Sequence, residues 1–174
     1  HANIAADFAV VGVHIVDGET QVAEAVVFIG VVRAGIGKNA VPRALIEHNN
    51  IFDNSFGVYL HGSADAMVRE NKIVGDAALR VNERGNGVTV WNAPGAQVVG
   101  NDISKGRDGI FSNTSTHNTY KNNRFSDLRF AVHYMYTNDS EVSGNICVGN
   151  NMGYVLMFSE RLKVFDNIAV GSRD

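Results

Sequence analysis

The residues of this chain best suited to chemistry are one histidine and two methionines. His133 and Met135 lie two positions apart, and Met157 follows Met135 by 22 residues. On an extended strand, residues two apart share a face at roughly 7 Å. Asparagines recur along the chain at this same spacing of 22, which would stack Met157 one repeat beyond Met135. One imidazole nitrogen with two thioether sulfurs is a soft donor set, favouring copper, particularly Cu(I), over the hard cations that carboxylates select. The alternative is that the methionines are contact residues for a partner, a frequent use of exposed methionine. His61 shares the column of Met135 but lies three repeats away, about 14 Å at the stacking distance, too far to share that ion.

A second cluster is Arg107-Asp108-Gly109, with Arg129 one repeat beyond Arg107. Two readings are open. The arginines could stack at a turn, held by Asp108 and Asp127, or they could recognise a carboxylate or phosphate; the first is the favoured expectation. The single cysteine, Cys147, falls in a column held elsewhere by isoleucine and phenylalanine, so it is expected to be a buried small hydrophobe rather than a ligand.

These residues owe their placement to the repeat. Asn49, Asn71, Asn101, Asn123, Asn145 and Asn167 are spaced by 22 except for one step of 30, and Gly57, Gly87, Gly109, Ala131 and Gly153 keep the same register. The extra residues form one insertion within positions 74–86, expected to bulge from a single corner. Each repeat holds three short apolar pieces separated by Gly, Asn, Asp and Ser, with neither a leucine-rich pattern nor helical spacing. The expected fold is all-β: a right-handed parallel β-helix, a solenoid of 22-residue coils with three short strands per coil. The asparagines should form one buried row at a turn, each amide bonding backbone and the amides of neighbouring coils.

Strand alternation then sorts the faces. Val58, Leu60 and their counterparts should point inward. Tyr59, Thr89, Phe111, His133 and Val155, with His61, Trp91, Asn113, Met135 and Met157, should point outward. That outward face is rich in aromatics, thioethers and imidazoles and is expected to lack carboxylates, with Asp108, Asp127 and Asp139 placed in turns. Tyr59, His61, Trp91 and Phe111 are therefore candidate docking residues for a protein partner. The alternative is that a further segment of chain covers them.

At 174 residues and 45% hydrophobic content, the chain suits one domain spanning 1–174, with residues 1–44 in uncertain register. A net charge of −3 gives no electrostatic case for nucleic acid or an anionic membrane, and no apolar run is long enough for direct membrane insertion. There is no initiator methionine and no recognisable cap. The chain thus reads as an excerpt of a longer protein, and a missing export signal says nothing of location.

Four segments carry a more specific signal: 85–93 (Gly-Asn-Gly-Val-Thr-Val-Trp-Asn-Ala), 106–112 (Gly-Arg-Asp-Gly-Ile-Phe-Ser), 128–138 (Leu-Arg-Phe-Ala-Val-His-Tyr-Met-Tyr-Thr-Asn) and 153–159 (Gly-Tyr-Val-Leu-Met-Phe-Ser). Together they resemble the NosD family, periplasmic β-helix proteins needed for maturation of the copper centres of nitrous oxide reductase. The resemblance implies a non-catalytic, exported protein that cooperates with the ATPase and membrane subunits of an ABC transporter, with a copper chaperone and with nitrous oxide reductase. The matching positions are His133, Met135 and Met157. With few donors and no closed cage, Cu(I) there would be held transiently. The rival reading is a β-helix polysaccharide lyase, hydrolase or epimerase, or a carbohydrate-binding module; such enzymes need carboxylates grouped on an exposed strand face. A third reading is a structural or adhesive solenoid without a ligand.

Overall fold

The computed structural model describes residues 27–29 and 44–173. Among these, the chain winds through three parallel sheets of six strands each. The first sheet holds Val27–Ile29, Val58–His61, Val88–Trp91, Asp108–Thr116, Phe130–Asn138 and Met152–Met157. The second holds Leu45–Glu47, Met67–Arg69, Gln97–Val99, Thr119–Lys121, Glu141–Ser143 and Lys163–Phe165. The third holds Asn50–Asn54, Lys72–Gly75, Asp102–Ser104, Arg124–Ser126, Ile146–Val148 and Ile168–Val170. The chain visits the sheets in strict rotation. In each later coil, a residue pairs with the one 22 positions on: Ile110 with Val132, Tyr120 with Val142, Phe125 with Cys147. This is the right-handed parallel β-helix expected from the repeat. The stretch from Asp7 to Gly18, whose sequence suggests a further early coil, lies outside the described residues. No helix among the described residues is long and apolar enough to cross a membrane.

Apolar side chains from all three sheets close the interior. Val58, Leu60, Val88, Val90 and Ile110 come from the first sheet, Val68, Val98 and Tyr120 from the second, and Ile73, Ile103 and Phe125 from the third; all are buried. The glycine column exists because the third sheet presses against it. A Cβ on Gly109 would lie 2.5 Å from both the Phe125 ring and the Ala131 carbonyl oxygen. One coil on, the third sheet presents the smaller Cys147, and Ala131 fits in the glycine's place.

The asparagine row forms as the spacing predicts. The Asn123 Nδ2 donates to Asn145 Oδ1 at 3.0 Å and to the Val98 carbonyl at 2.8 Å, while its backbone N–H donates to the same Asn145 Oδ1 at 2.9 Å. The same pattern links Asn49 to Asn71, Asn71 to Asn101, Asn101 to Asn123 and Asn145 to Asn167. Asn71, Asn101, Asn123 and Asn145 are buried. No amide there is left to pay a desolvation cost unmatched.

The insertion leaves the solenoid at one corner, between Lys72–Gly75 of the third sheet and Val88–Trp91 of the first, and contains a single 3-10 turn, Val81–Glu83. The Arg84 guanidinium ties it down, donating to the carbonyls of Leu79 (2.8 Å), Ala77 (3.1 Å) and Lys105 (3.3 Å).

Two substitutions test this account in urea unfolding. Asn123→Ala should cost about 1–3 kcal/mol, because the groups it bonds are buried without replacement partners. Gly109→Ala should cost about 1–3 kcal/mol by overpacking against Phe125; combining it with Phe125→Leu should recover part of that loss, and no recovery would place the strain elsewhere.

Candidate functional site

The strand Phe130–Asn138 carries both His133 and Met135. Backbone pairing sets His133 between Phe111 and Val155, and sets Met135 between Asn113 and Met157. The two methionines are thus direct neighbours on adjacent strands, with His133 two residues along the same face. Met157 is 40% exposed and Met135 is half-buried. His61, Trp91 and Asn113 complete the methionine column in the preceding coils, which keeps His61 three coils from Met135 as expected.

His133 faces outward but is only 8% exposed. The Phe111 ring lies 5.1 Å from its ring centroid, and Phe130 meets it edge to face at 5.2 Å. Its Nδ1 is 3.0 Å from Asp108 Oδ2. A carboxylate only accepts, so Nδ1 carries the proton and, in the neutral ring, Nε2 is a bare lone pair. That Nε2 is buried and has no hydrogen-bond partner among the described residues. An imidazole whose far nitrogen is fixed by a carboxylate is the arrangement that metal-binding histidines use to set tautomer and ring orientation.

The structure corrects the placement of Asp108. It opens the strand Asp108–Thr116 rather than lying in a turn, and it is 1% exposed. The face expected to lack carboxylates therefore has one, bonded to His133. Its two oxygens also accept from Arg129, Nε to Oδ1 at 2.8 Å and Nη2 to Oδ2 at 2.6 Å. The Arg129 guanidinium carbon sits 4.3 Å over the Phe130 ring, a cation–π contact. Burial pushes the Asp108 carboxyl up, but the bonds from His133 and Arg129 outweigh it and hold the group below the usual carboxylate value. The expected pairing of two arginines with Asp108 and Asp127 is corrected too. Among the described residues, Arg129 is the one arginine that Asp108 holds, Asp127 stays exposed in a left-handed turn (φ 53°) and bonds neither arginine, and Arg107 Nε is buried without a partner.

The candidate docking residues form an edge-to-face series rather than an isolated scatter. Phe56 meets Tyr59 at 6.0 Å, Tyr59 meets His61 at 6.5 Å, and His61 meets Trp91 at 6.4 Å, with Trp91 43% exposed. Phe111 belongs to the other group, as a wall of the His133 pocket. Strand parity could not separate these roles, because it gives the direction of a side chain and not its neighbours. The signal that could have joined Asp108 to His133 is their separation of 25, one coil plus three residues. Among the described residues, no group of three or more His, Cys, Asp or Glu is placed to hold a metal ion. Cys147 is buried, and burial pushes its thiol up, as suits an unreactive core residue.

Residues 69–174 match the family described as periplasmic copper-binding protein (NosD). The chain belongs to the NosD family. Residues 2–103 also match the right-handed β-helix region family, in agreement with the fold. Over 70 residues the chain is 40% identical to the probable ABC transporter binding protein NosD of Stutzerimonas stutzeri, covering 40% of this chain and 16% of that protein. Over 86 residues it is 36% identical to the NosD protein of the same description from Pseudomonas aeruginosa, covering 49% of this chain and 18% of the relative. The chain thus spans less than a fifth of the length of these two NosD relatives.

Asp108→Asn should lower stability by about 2–4 kcal/mol at neutral pH, less than for a fully buried pair because Arg129 is partly in water. The depressed carboxyl contributes stability that is complete above about pH 4, the unfolded-state value, and is lost as pH falls through its lower folded-state value. Urea unfolding at pH 7 and pH 3 checks both points: the gap between wild type and variant should narrow at pH 3.

Proposed function

We propose that this chain is part of a non-catalytic periplasmic accessory protein that hands Cu(I) on during maturation of the copper centre of nitrous oxide reductase. One observation carries the reading: His133 has Nδ1 fixed by a buried carboxylate and Nε2 without a partner among the described residues, on the same face as the adjacent thioethers Met135 and Met157. The donor set fits a soft monovalent ion, which is the cargo here and not a resident cofactor. His133 would supply an oriented nitrogen, and the methionines would supply sulfurs that exchange readily. Asp108 would set the imidazole tautomer, while Phe111 and Phe130 limit water at the ring. Few protein donors suit release, because a partner can complete the coordination and then take the ion.

The series Tyr59, His61 and Trp91, with Phe111 standing apart from it beside His133, would dock the ATPase and membrane subunits of the transporter or a copper chaperone. The names of the two relatives support a transporter association. The family description supports the periplasmic, copper-linked setting. A polysaccharide-acting enzyme fits less well, because the carboxylate on this face is already committed to Arg129 and His133 and does not form a catalytic pair.

Titration of the reduced chain with Cu(I) against a competing chelator is the test. Affinity should fall at least about tenfold in Met135→Ala/Met157→Ala, the loss of about 1.4 kcal/mol, and about 10–100-fold in Asp108→Asn if the carboxylate orients the ligand. Equal affinities in wild type and the double variant would place the cargo elsewhere. For docking, Trp91→Ala should weaken capture of the transporter subunits and chaperone; unchanged capture would move the docking face. Turnover of an acidic polysaccharide by the purified chain would favour the enzyme reading instead.

A further inference from the structure

Arg107 is half-buried and has one guanidinium nitrogen without an acceptor among the described residues. Its Nε is buried and unpartnered among the described residues, a costly state for part of a guanidinium. The neighbouring carboxylate is not available to it. Both Asp108 oxygens accept from Arg129, and one also receives His133 Nδ1. Asp127 is exposed and bonds neither arginine. The two arginines are nonetheless adjacent: the Arg129 backbone N–H donates to the Arg107 carbonyl at 2.7 Å, which sets one directly over the other on successive coils.

Among the described residues no carboxylate bonds Arg107, while Asp108 is held by Arg129. Arg84 and Lys105 lie on the same corner, with the acids Asp76 and Asp127 beside them. The Arg107 backbone N–H donates to the Gly85 carbonyl at 2.8 Å, next to Arg84, and the Arg84 guanidinium reaches the Lys105 carbonyl at 3.3 Å. An approaching anion would meet repulsion from Asp108, but the two-pronged bond from Arg129 neutralises that carboxylate.

We propose that Arg107, with Arg129 beside it, binds a small oxyanion, the carboxylate or phosphate group of a ligand, at the corner between the third and first sheets. The Arg107 Nε–H donates to one anion oxygen, and the guanidinium's own charge supplies the attraction. Lysine at this position would keep the charge but lose the flat fork that meets two oxygens at once. The site uses neither of the methionines nor any of the candidate docking aromatics, so it stands or falls apart from the copper reading.

The chain labelled with ¹⁵N-arginine gives a direct readout through the Nε–Hε resonances. Acetate and inorganic phosphate are titrated separately at constant ionic strength, with the exposed Arg161, already paired with Asp139, as the internal control. The Arg107 resonance should shift and saturate while that of Arg161 drifts little. Arg107→Lys, folded by its amide spectrum, should need about tenfold more anion for the same occupancy, the loss of one charge-assisted hydrogen bond. Saturation at lower acetate concentration assigns a carboxylate, and saturation at lower phosphate concentration assigns a phosphate. If Arg107 follows the non-saturating drift of Arg161 with both anions, a water satisfies the Nε and the proposal fails. Should the lysine variant not fold, the wild-type titration alone decides.

Discussion

Parallel pairing at a constant offset of 22 residues governs everything else in this molecule. Because each residue lies over its counterpart one coil away, side chains collect into columns, and a column can do what a single residue cannot. The asparagine column satisfies its own amides, the glycine column lets the third sheet approach, and the methionine column sets two sulfurs side by side. A slip of one residue would break all three at once, leaving buried amides unpaired and turning the apolar set to solvent. The insertion between Gly75 and Val88 is tolerated because it leaves at a corner and rejoins in register, with Arg84 closing its base.

The periodic part of this architecture was legible from residue types alone. Asn123 and Asn145 bond as their spacing implies, and Val58 and Leu60 are buried while His61 is exposed, as strand alternation requires. What the sequence concealed are contacts that step diagonally across coils. Asp108 precedes the glycine of its column and looked like a turn residue, yet its strand begins there and its side chain reaches His133 in the next coil. Outward direction also proved distinct from exposure. Thr89 and His133 both point away from the core, and both are buried by larger neighbours. Alternation along one strand holds no information about whether Phe111 and Phe130 will close over an imidazole.

Asp108 is the electrostatic centre of the site. One carboxylate holds a guanidinium and an imidazole together, which fixes the ring and engages both of its oxygens. On either side of it a buried nitrogen is left over: Nε2 of His133, which can accept or ligate, and Nε of Arg107, which can only donate. Groups of this kind cost stability in isolation, and proteins tend to keep them where a bound species supplies the missing partner. The two nitrogens call for opposite chemistry, a cation at one and an anion at the other.

The asparagine row also has a direction. In every link the lower residue gives hydrogen and the upper residue receives it on Oδ1, from Asn49 through to Asn167. The row is therefore a one-way chain of aligned dipoles, each polarising the next, and at Asn167 the Nδ2 donates back to the Val142 and Phe165 carbonyls. A step up the row is thus not equivalent to a step down it. A further coil stacked in register would keep that polarity, its asparagine receiving hydrogen on Oδ1 from the coil below and giving hydrogen to the coil above.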